Sequence, residues 1–419
     1  MPSDARVEPL LITREDELAR VAERLASKPR VAFDLESNGM HAYRATACII
    51  QLACDGEVII IDAHATSLLP IGDLLSSSTT EKIVHDVAFD ARILAEAGVF
   101  LANARDTSLA ARMLSRPATG LASLLESEVG VKIDKKLQQH DWGERPLTSA
   151  MLTYLAGDVL NLSELADRLF AEVHERGIAD EVEEETRYRL ASAIAGAGVA
   201  DPRPPYVRLK GIDRVPEIEL PILRHLANIR EDLARDLDVP PYKVLGPDVL
   251  FEIAKQRPET LDDLAKIRGA MGGRRARSIA NELLDAVVAG LEDGAIPPED
   301  RSWFEKPRIP GAVLRARRVR EQKLSKWRKE EAKKRGLDEQ VILPGHVLQG
   351  IADLDDPSPE SLATVPGIGA FRVERHGEAL VHMLTLPAGG VELAPPTEPT
   401  EPTEPTEPTE PTGHGRSGS

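Results

Sequence analysis

The chain has 419 residues, 42% of them hydrophobic and 29% charged, and a formal net charge of −17. Such a length holds two or three domains, and the apolar fraction can fill their cores. The acidity excludes a protein that coats nucleic acid by bulk positive charge. It leaves room for a local basic groove, because phosphate contact needs only a few placed Lys and Arg residues.

Cys48 and Cys54 are the only cysteines. Both fall in the apolar run Ala47–Cys54, on one face of a predicted strand, and read as buried inert thiols rather than a disulfide or zinc pair. No apolar stretch approaches the roughly 18 residues that a membrane helix needs, and no basic-then-apolar signal opens the chain. The expectation is a cytoplasmic protein with no membrane partner.

From the N-terminus, Glu15–Leu25 has helical spacing, with Leu18, Val21, Ala22 and Leu25 on one face. Strands are predicted at Val31–Glu36, Ala47–Cys54 and Glu57–Asp62, and Gly56 turns the last two into a hairpin. The sheet therefore starts antiparallel. Strand and helix patterns alternate through Lys82–Val84, Ala88–Ala97 and Asp106–Leu114, and one long helix is expected from near Thr148 past Leu169. Residues 1–195 thus read as an α/β domain, and 196–215 as a linker around Asp201-Pro-Arg-Pro-Pro-Tyr206.

Residues 216–292 and 312–388 are helical throughout, with a linker at 293–311. The second unit opens on the basic helix Arg315–Arg335. The two units read as copies. Pro258-Glu-Thr-Leu-Asp-Asp-Leu264 matches Pro359-Glu-Ser-Leu-Ala363, and Ile267-Arg-Gly269 matches Val365-Pro-Gly367. A repeat of about 100 residues suits a duplicated small domain, not a solenoid. The tail, 389–419, is dominated by Pro-Thr-Glu triplets and is expected to be disordered.

Three short segments carry chemistry. In Phe33-Asp34-Leu35-Glu36, positions i and i+2 of a strand point the same way, so Asp34 and Glu36 project together from an apolar strand. Like charges side by side repel, and a cation between them removes the problem. Asp90 follows His85 at the start of a predicted helix. In Tyr154-Leu-Ala-Gly-Asp158, a phenol and a carboxylate stand one helical turn apart on one face. Each segment alone has an ordinary reading, respectively a solvated strand end, a helix-dipole acid and a surface hydrogen bond.

Together, Asp-x-Glu, Asp and Tyr-x-x-x-Asp in one α/β domain resemble the DEDD exonucleases, in their tyrosine branch. Lys82–Leu94, Asp106-Thr107, Gly120–Leu125, and Lys136 through Asp141-Trp142 to Arg145-Pro146-Leu147 are similar to the ribonuclease D family in particular. The two helical units resemble HRDC domains, and members of that family carry two. The resemblance implies a ribonuclease H-like exonuclease domain with a mixed sheet, then two all-α HRDC-like domains and the tail. It also implies a 3′→5′ exoribonuclease with two divalent cations, Mg²⁺ or Mn²⁺, held by Asp34, Glu36, Asp90 and Asp158. Asp34 would bridge both, and Tyr154 would orient the attacking water. Thr153 stands where the histidine branch of the superfamily needs its His. His85 reads as structural or substrate-contacting.

Lys136, Arg145, Arg318 and Lys326 are the candidate phosphate contacts, with a solvated helical face as the plain alternative for the last two. Pro366-Gly-Ile-Gly369 resembles a hairpin that touches nucleic-acid backbone. The expected partner is RNA with a free single-stranded 3′ end, such as a tRNA precursor, and the expected state is a monomer. The same carboxylates also occur in DNA exonucleases, and an inactive RNA-binding scaffold is a third reading. No phosphate-binding Gly-rich loop of a helicase accompanies them.

Overall fold

The computed structural model describes residues 8–305 and 309–385. The tail at 389–419, expected to be disordered, lies outside the described residues. So do residues 386–388, which close the second helical unit. Six strands make one mixed sheet: β1 (Leu10–Ile12), β2 (Arg30–Ser37), β3 (Ala47–Cys54), β4 (Glu57–Asp62), β5 (Glu81–Val84) and β6 (Ala104–Asp106). Their order is β1-β4-β3-β2-β5-β6. The central three are antiparallel neighbours, while β1, β5 and β6 join in parallel. Asp55 and Gly56 both take left-handed backbone, at φ 52° and 82°, the geometry of a tight hairpin turn that suits strand twist.

The principal helices of this domain are α1 (Glu15–Ala26), α2 (Val87–Glu96), α3 (Thr107–Met113), α4 (Ser149–Leu160), α5 (Leu162–Glu175) and α6 (Ala179–Ala195). α1 and α2 cover one face of the sheet, packing Leu18, Leu25, Ala91 and Leu94 against Phe33, Leu35 and Ile50. α3, α4 and α5 cover the other, where Leu109, Leu155, Val159 and Leu165 meet Ala32, Ile49 and Ile60. Both faces are therefore buried, which is why β3 and β4 read as nearly unbroken apolar runs. α6 adds Val182 to the second core and Leu190 to the first.

The structure differs from the sequence reading in three places. The single helix expected past Leu169 is broken at Asn161, whose φ and ψ of −106° and 6° leave the helical region. The break lets α5 turn and lay Leu165, Leu169 and Val173 on the same core as α4. β1 was not anticipated, since three residues are too few to show a strand period. Cys48 and Cys54 enter different cores, because the pairing of β2 with β3 slips at Glu36/Ser37 and upsets the simple alternation. Both cysteines are free thiols.

The first helical unit contains α7 (Leu220–Asp236), α8 (Pro247–Gln256), α9 (Arg274–Ser278) and α10 (Ala280–Asp293). A Cβ at Gly290 would lie 2.4 Å from the Ile222 Cα, so glycine lets α10 close onto α7. The second unit contains α11 (Gly311–Arg335), α12 (Gly345–Asp353) and α13 (Gly369–Thr385). It docks on α6 through charge: Arg335 and Arg375 reach Glu181 at 2.8 and 3.3 Å. Tyr188 stacks on His346 with ring centres 4.1 Å apart. Among the described residues no helix is long and apolar enough to cross a membrane.

One buried carboxylate ties the sheet to the helix that carries Asp90. Asp106, at the end of β6, caps α3 by accepting from the Ser108 and Leu109 amides at 2.9 and 3.1 Å. It also accepts from the Asp86 and Val87 amides at the start of α2, both at 3.1 Å. Asp106→Ala strands four amide donors, three of them buried, and should cost about 3 kcal/mol or more in urea denaturation. Asp106→Asn keeps one acceptor oxygen and should fall between the two.

Candidate active site

β2 positions the first two acids. Phe33 and Leu35 point into the core under α1 and α2, so Asp34 and Glu36 must point to the α4 side. α4 crosses that face and is capped at Thr148, whose hydroxyl accepts from the Met151 amide at 3.3 Å. Its inward residues include Leu155, Val159 and the buried Asp158. One carboxylate oxygen from each of Asp34, Glu36 and Asp158 can be chosen so that all three lie within 4.8 Å of one another. Asp90, from α2, is also buried. It stands outside this trio but is close enough for Asp34 and Glu36 to act on its charge. Tyr154 sits one turn before Asp158, its ring tilted against that of Trp142 with centres 5.6 Å apart.

The crowding of acids shows in their titration. Burial pushes the Glu36 carboxyl up to about 9, with Asp34 and then Asp158 adding to it, and the Trp142 indole partly opposing. Burial raises Asp34, against a backbone hydrogen bond from Leu35. Burial and then Asp34 raise Asp158. Asp90 is held well above the usual carboxylate range by burial, then by Asp34 and Glu36. The Tyr154 phenol is raised by burial and then by Asp158 and Glu36.

These residues fit a hard divalent cation. The trio offers only oxygen donors, the ligand type that Mg²⁺ and Mn²⁺ take. Among the described residues none of the three has a Lys or Arg salt-bridge partner. Nearby polar atoms are also unmet. Gln51 pairs directly with Asp34 across β2 and β3. It is fully buried, and neither of its amide atoms finds a hydrogen-bond partner. The buried Trp142 indole nitrogen, which acts on the Glu36 carboxyl, has no other partner. Buried orphan polar groups gathered beside a trio of acids are what a hydrated cation would satisfy.

The remaining sequence candidates scatter. The His85 Nδ1 bonds the Thr107 hydroxyl at 2.9 Å, and its charged neighbours are Asp106, Asp86 and Arg112 rather than the trio. Burial lowers its pKa. Arg145 is committed to architecture: it reaches both Asp62 oxygens at 2.6 and 2.7 Å and the carbonyls of Trp142, Glu144 and Cys48. Lys136 is exposed and paired with Asp134 at 3.2 Å. Arg318 and Lys326 lie exposed on α11. Pro366-Gly-Ile-Gly369 packs against α6, where Glu184 accepts from the Phe371 amide at 3.3 Å. Gln51, Trp142 and Asp106 serve the site without having been singled out for it. A lone Gln within an apolar strand was the available signal for the first.

Residues 9–174 match a protein family described as 3′-5′ exonuclease. Residues 219–287 and 318–384 each match the HRDC domain. The chain is similar to a ribonuclease D of Nitrobacter hamburgensis, 30% identical over 391 residues that span 92% of this chain and 96% of the relative. It is 31% identical to a ribonuclease D of Gluconacetobacter diazotrophicus over 313 residues, 73% of this chain and 78% of the relative. The crystal structure of Escherichia coli RNase D matches with a TM-score of 0.64 at 23% identity, covering 90% of this chain and 99% of that one. At that identity the likeness is one of fold.

The raised carboxylates set a sign for stability. Their folded pKa values exceed the unfolded ones, so the metal-free native state holds more protons than the unfolded chain between about pH 4 and pH 9. Stability in EDTA should therefore fall as pH rises through that window, and Mg²⁺ or Mn²⁺ should restore more of it at pH 8.5 than at pH 5.5. Melting temperatures across pH measure this. Glu36→Gln should flatten the EDTA slope; an unchanged slope would locate its source elsewhere.

Proposed function

The chain belongs to the ribonuclease D family of 3′→5′ exonucleases, and we propose that it trims single-stranded RNA 3′ ends to 5′-mononucleotides with two divalent cations, Mg²⁺ or Mn²⁺. The observation that carries this reading is the trio of Asp34, Glu36 and Asp158 oxygens within 4.8 Å. Asp90 adjoins it as the fourth acid, and Tyr154 stands one turn from Asp158. Bound there, the cations would acidify water and neutralise charge on the phosphate oxygens.

The protein's own groups do the rest. Asp34 and Glu36 are fixed by the strand, and Asp158 and Tyr154 by one helix face, so the donors are aligned before substrate arrives. The phenol of Tyr154 stays protonated at working pH because burial and neighbouring acids raise it. It is therefore a hydrogen-bonding guide for the attacking water rather than its base. Closely spaced acids repel phosphate without metal, so dependence on the cation should be nearly complete.

RNA beyond the site meets α11. Arg317, Arg320, Arg328 and Arg335 are engaged with neighbouring carboxylates or carbonyls. Arg315, Arg318, Lys326, Lys329 and Lys333 are exposed, and among the described residues none has an ion pair. Their spacing of three, eight, three and four residues keeps them on one helical stripe. This separation of used from unused cations supports Arg318 and Lys326 as phosphate contacts. The substrate class includes tRNA precursors, and the enzyme acts as a cytoplasmic monomer.

Digestion of 3′- and 5′-labelled single-stranded RNA tests the reading. Labelled mononucleotide should leave the 3′ end at once with Mg²⁺. Asp34→Asn should lower the rate by about 10³-fold or more, and Tyr154→Phe by roughly 10²-fold. Appreciable activity in EDTA, or faster cleavage of matched DNA than RNA, would defeat the proposal. Reversing Arg318 and Lys326 to Glu should weaken RNA binding and flatten its salt dependence. Unchanged binding would leave α11 a solvated face.

A further inference from the structure

α11 is more polar than an ordinary surface helix. Of its 25 residues only Leu324 and Ala332 are buried, whereas such a helix usually turns a broad apolar stripe to the core. Arg317, Arg328 and Arg335 pair with Asp353, Glu339 and Glu181. Arg315, Arg318, Lys326, Lys329 and Lys333 are exposed and fall within about 80° of arc, in one stripe. Glu330 borders the stripe, while Glu321 and Glu331 are paired with Arg317 and Lys334. The equivalent helix of the first copy, α7, has no such feature. There Arg224 pairs with Asp300, Arg235 pairs with Asp232, and Arg230 is buried. The stripe is therefore particular to the second copy and is not a property of the repeat.

The second copy is also the one that the acidic tail follows. Beyond Thr385 the sequence carries Glu392 and then Glu398, Glu401, Glu404, Glu407 and Glu410, with Arg416 as its one arginine and no lysine. These residues lie outside the described ones. α13, from which the tail departs, lies against α11: the Lys323 Nζ donates to the Met383 carbonyl at 3.1 Å. Met383 stands two residues before the end of α13 at Thr385, so the chain leaves that helix beside the middle of α11. A coil running from Thr385 to Glu398 spans about 20 Å. The first of the regular glutamates is thus within reach of the stripe.

The two charge patterns match in length as well as in sign. Proline at every third position favours the polyproline II conformation, whose three residues per turn bring every glutamate of the triplets to one edge. Successive glutamates then stand about 9 Å apart, and Glu401 to Glu410 covers about 28 Å. Arg315 to Lys333 covers about 27 Å of helix. The triplets hold no Lys or Arg, so their glutamates have no ionic partner within the segment. We infer that the Pro-Thr-Glu triplets lie along the α11 stripe of their own chain and compete with RNA for it. The docking rests on charge, reach and period; the competition rests on the reading of α11 as an RNA surface.

Each contact is weak, because an exposed ion pair contributes little and salt screens it. Tethering gives the sum its effect. A segment on a short linker meets its site at an effective concentration in the millimolar range, which the tail of a second copy at micromolar concentration does not reach. RNA carries a charge on every nucleotide and has the active site as a second anchor, so it displaces the tail once its 3′ end is engaged. A polyanion without that anchor faces the tail's competition in full.

The test compares the full wild-type chain with a full-length variant carrying Glu398→Gln, Glu401→Gln, Glu404→Gln, Glu407→Gln and Glu410→Gln, which keeps the length and the prolines. A carbodiimide, which joins carboxylates to lysines in direct contact, reads the docking. In wild type the triplet glutamates should couple to Lys326, Lys329 and Lys333 within single chains at low salt, and the coupling should vanish at about 0.5 M salt. Arg318→Glu with Lys326→Glu should remove most of the coupling at Lys329 and Lys333. Binding of a 5′-fluorescein 12-nucleotide oligouridylate in EDTA reads the competition. At about 50 mM salt the glutamine variant should bind about tenfold more tightly than wild type, and the two should converge at about 0.5 M, so the variant has the steeper salt dependence. Absence of coupling to α11 would overturn the proposal even if the variant bound RNA more tightly, since general repulsion would then suffice. Coupling between chains would assign the stripe to a second copy's tail and overturn the contact within one chain. Full coupling with unchanged RNA affinity at low salt would overturn the competition. If Arg318→Glu with Lys326→Glu then also left RNA binding unchanged, the fault would lie in the reading of α11 as an RNA surface and not in the docking.

Discussion

The repulsion among carboxylates on one face of β2 is the constraint on which the domain depends. Two unit charges about 5 Å apart at an effective dielectric constant near 20 repel by roughly 3 kcal/mol. Three such pairs among Asp34, Glu36 and Asp158 would rival the roughly 5–15 kcal/mol by which a whole domain is stable. A fully ionised, metal-free site is therefore not a comfortable state of this fold. Burial and mutual repulsion raise the carboxyl pKa values until protons are retained, and a divalent cation does the same work without protons. The two-sided apolar core keeps the acids from relaxing apart. Phe33 and Leu35 hold the strand from below, and Leu155 and Val159 hold α4 from above.

That frame explains what could be read in the sequence. Asp34 and Glu36 were legible because strand geometry fixes which way alternate residues point, whatever surrounds them. Tyr154 and Asp158 were legible for the corresponding reason on a helix. Their meeting was not a matter of local geometry: it needed a family resemblance, since nothing local says that α4 crosses β2 rather than another strand. Gln51 escaped notice because its importance lies in a cross-strand register, Asp34 opposite Gln51, that the hydrophobic pattern does not display. Arg145 misled for the opposite reason. A cation near the acids in sequence suggests a phosphate, but only the structure shows its guanidinium committed to Asp62 and three carbonyls.

The duplicated helical unit shows how one sequence pattern acquires two physical roles. Both copies were recognisable from matching segments, but their surroundings were not. In the second copy, Arg372 is buried, and its neighbours include Glu184 at 3.7 Å and the Glu181 carbonyl. Burying such charges is worthwhile only when partners are close and well oriented, so this contact makes a specific dock rather than a sliding one. The first copy instead holds the loop 38–46, where Glu231 and Asp238 accept from Tyr43, and Tyr242 and Lys243 donate to Met40 and His41.

The net charge of −17 is then no obstacle to handling a polyanion. Many of the chain's carboxylates outside the trio are in ion pairs with lysines and arginines of the same chain. The tail adds further glutamates outside the described residues. What a nucleic acid senses within a screening length of about 8–10 Å is local. On α11, local charge is positive because the neighbouring acids Asp353, Glu339 and Glu181 pair with Arg317, Arg328 and Arg335, and among the described residues Arg315, Arg318, Lys326, Lys329 and Lys333 have no ion pair. Attraction of a polyanion and its rejection from the metal-free centre can therefore coexist on one acidic molecule.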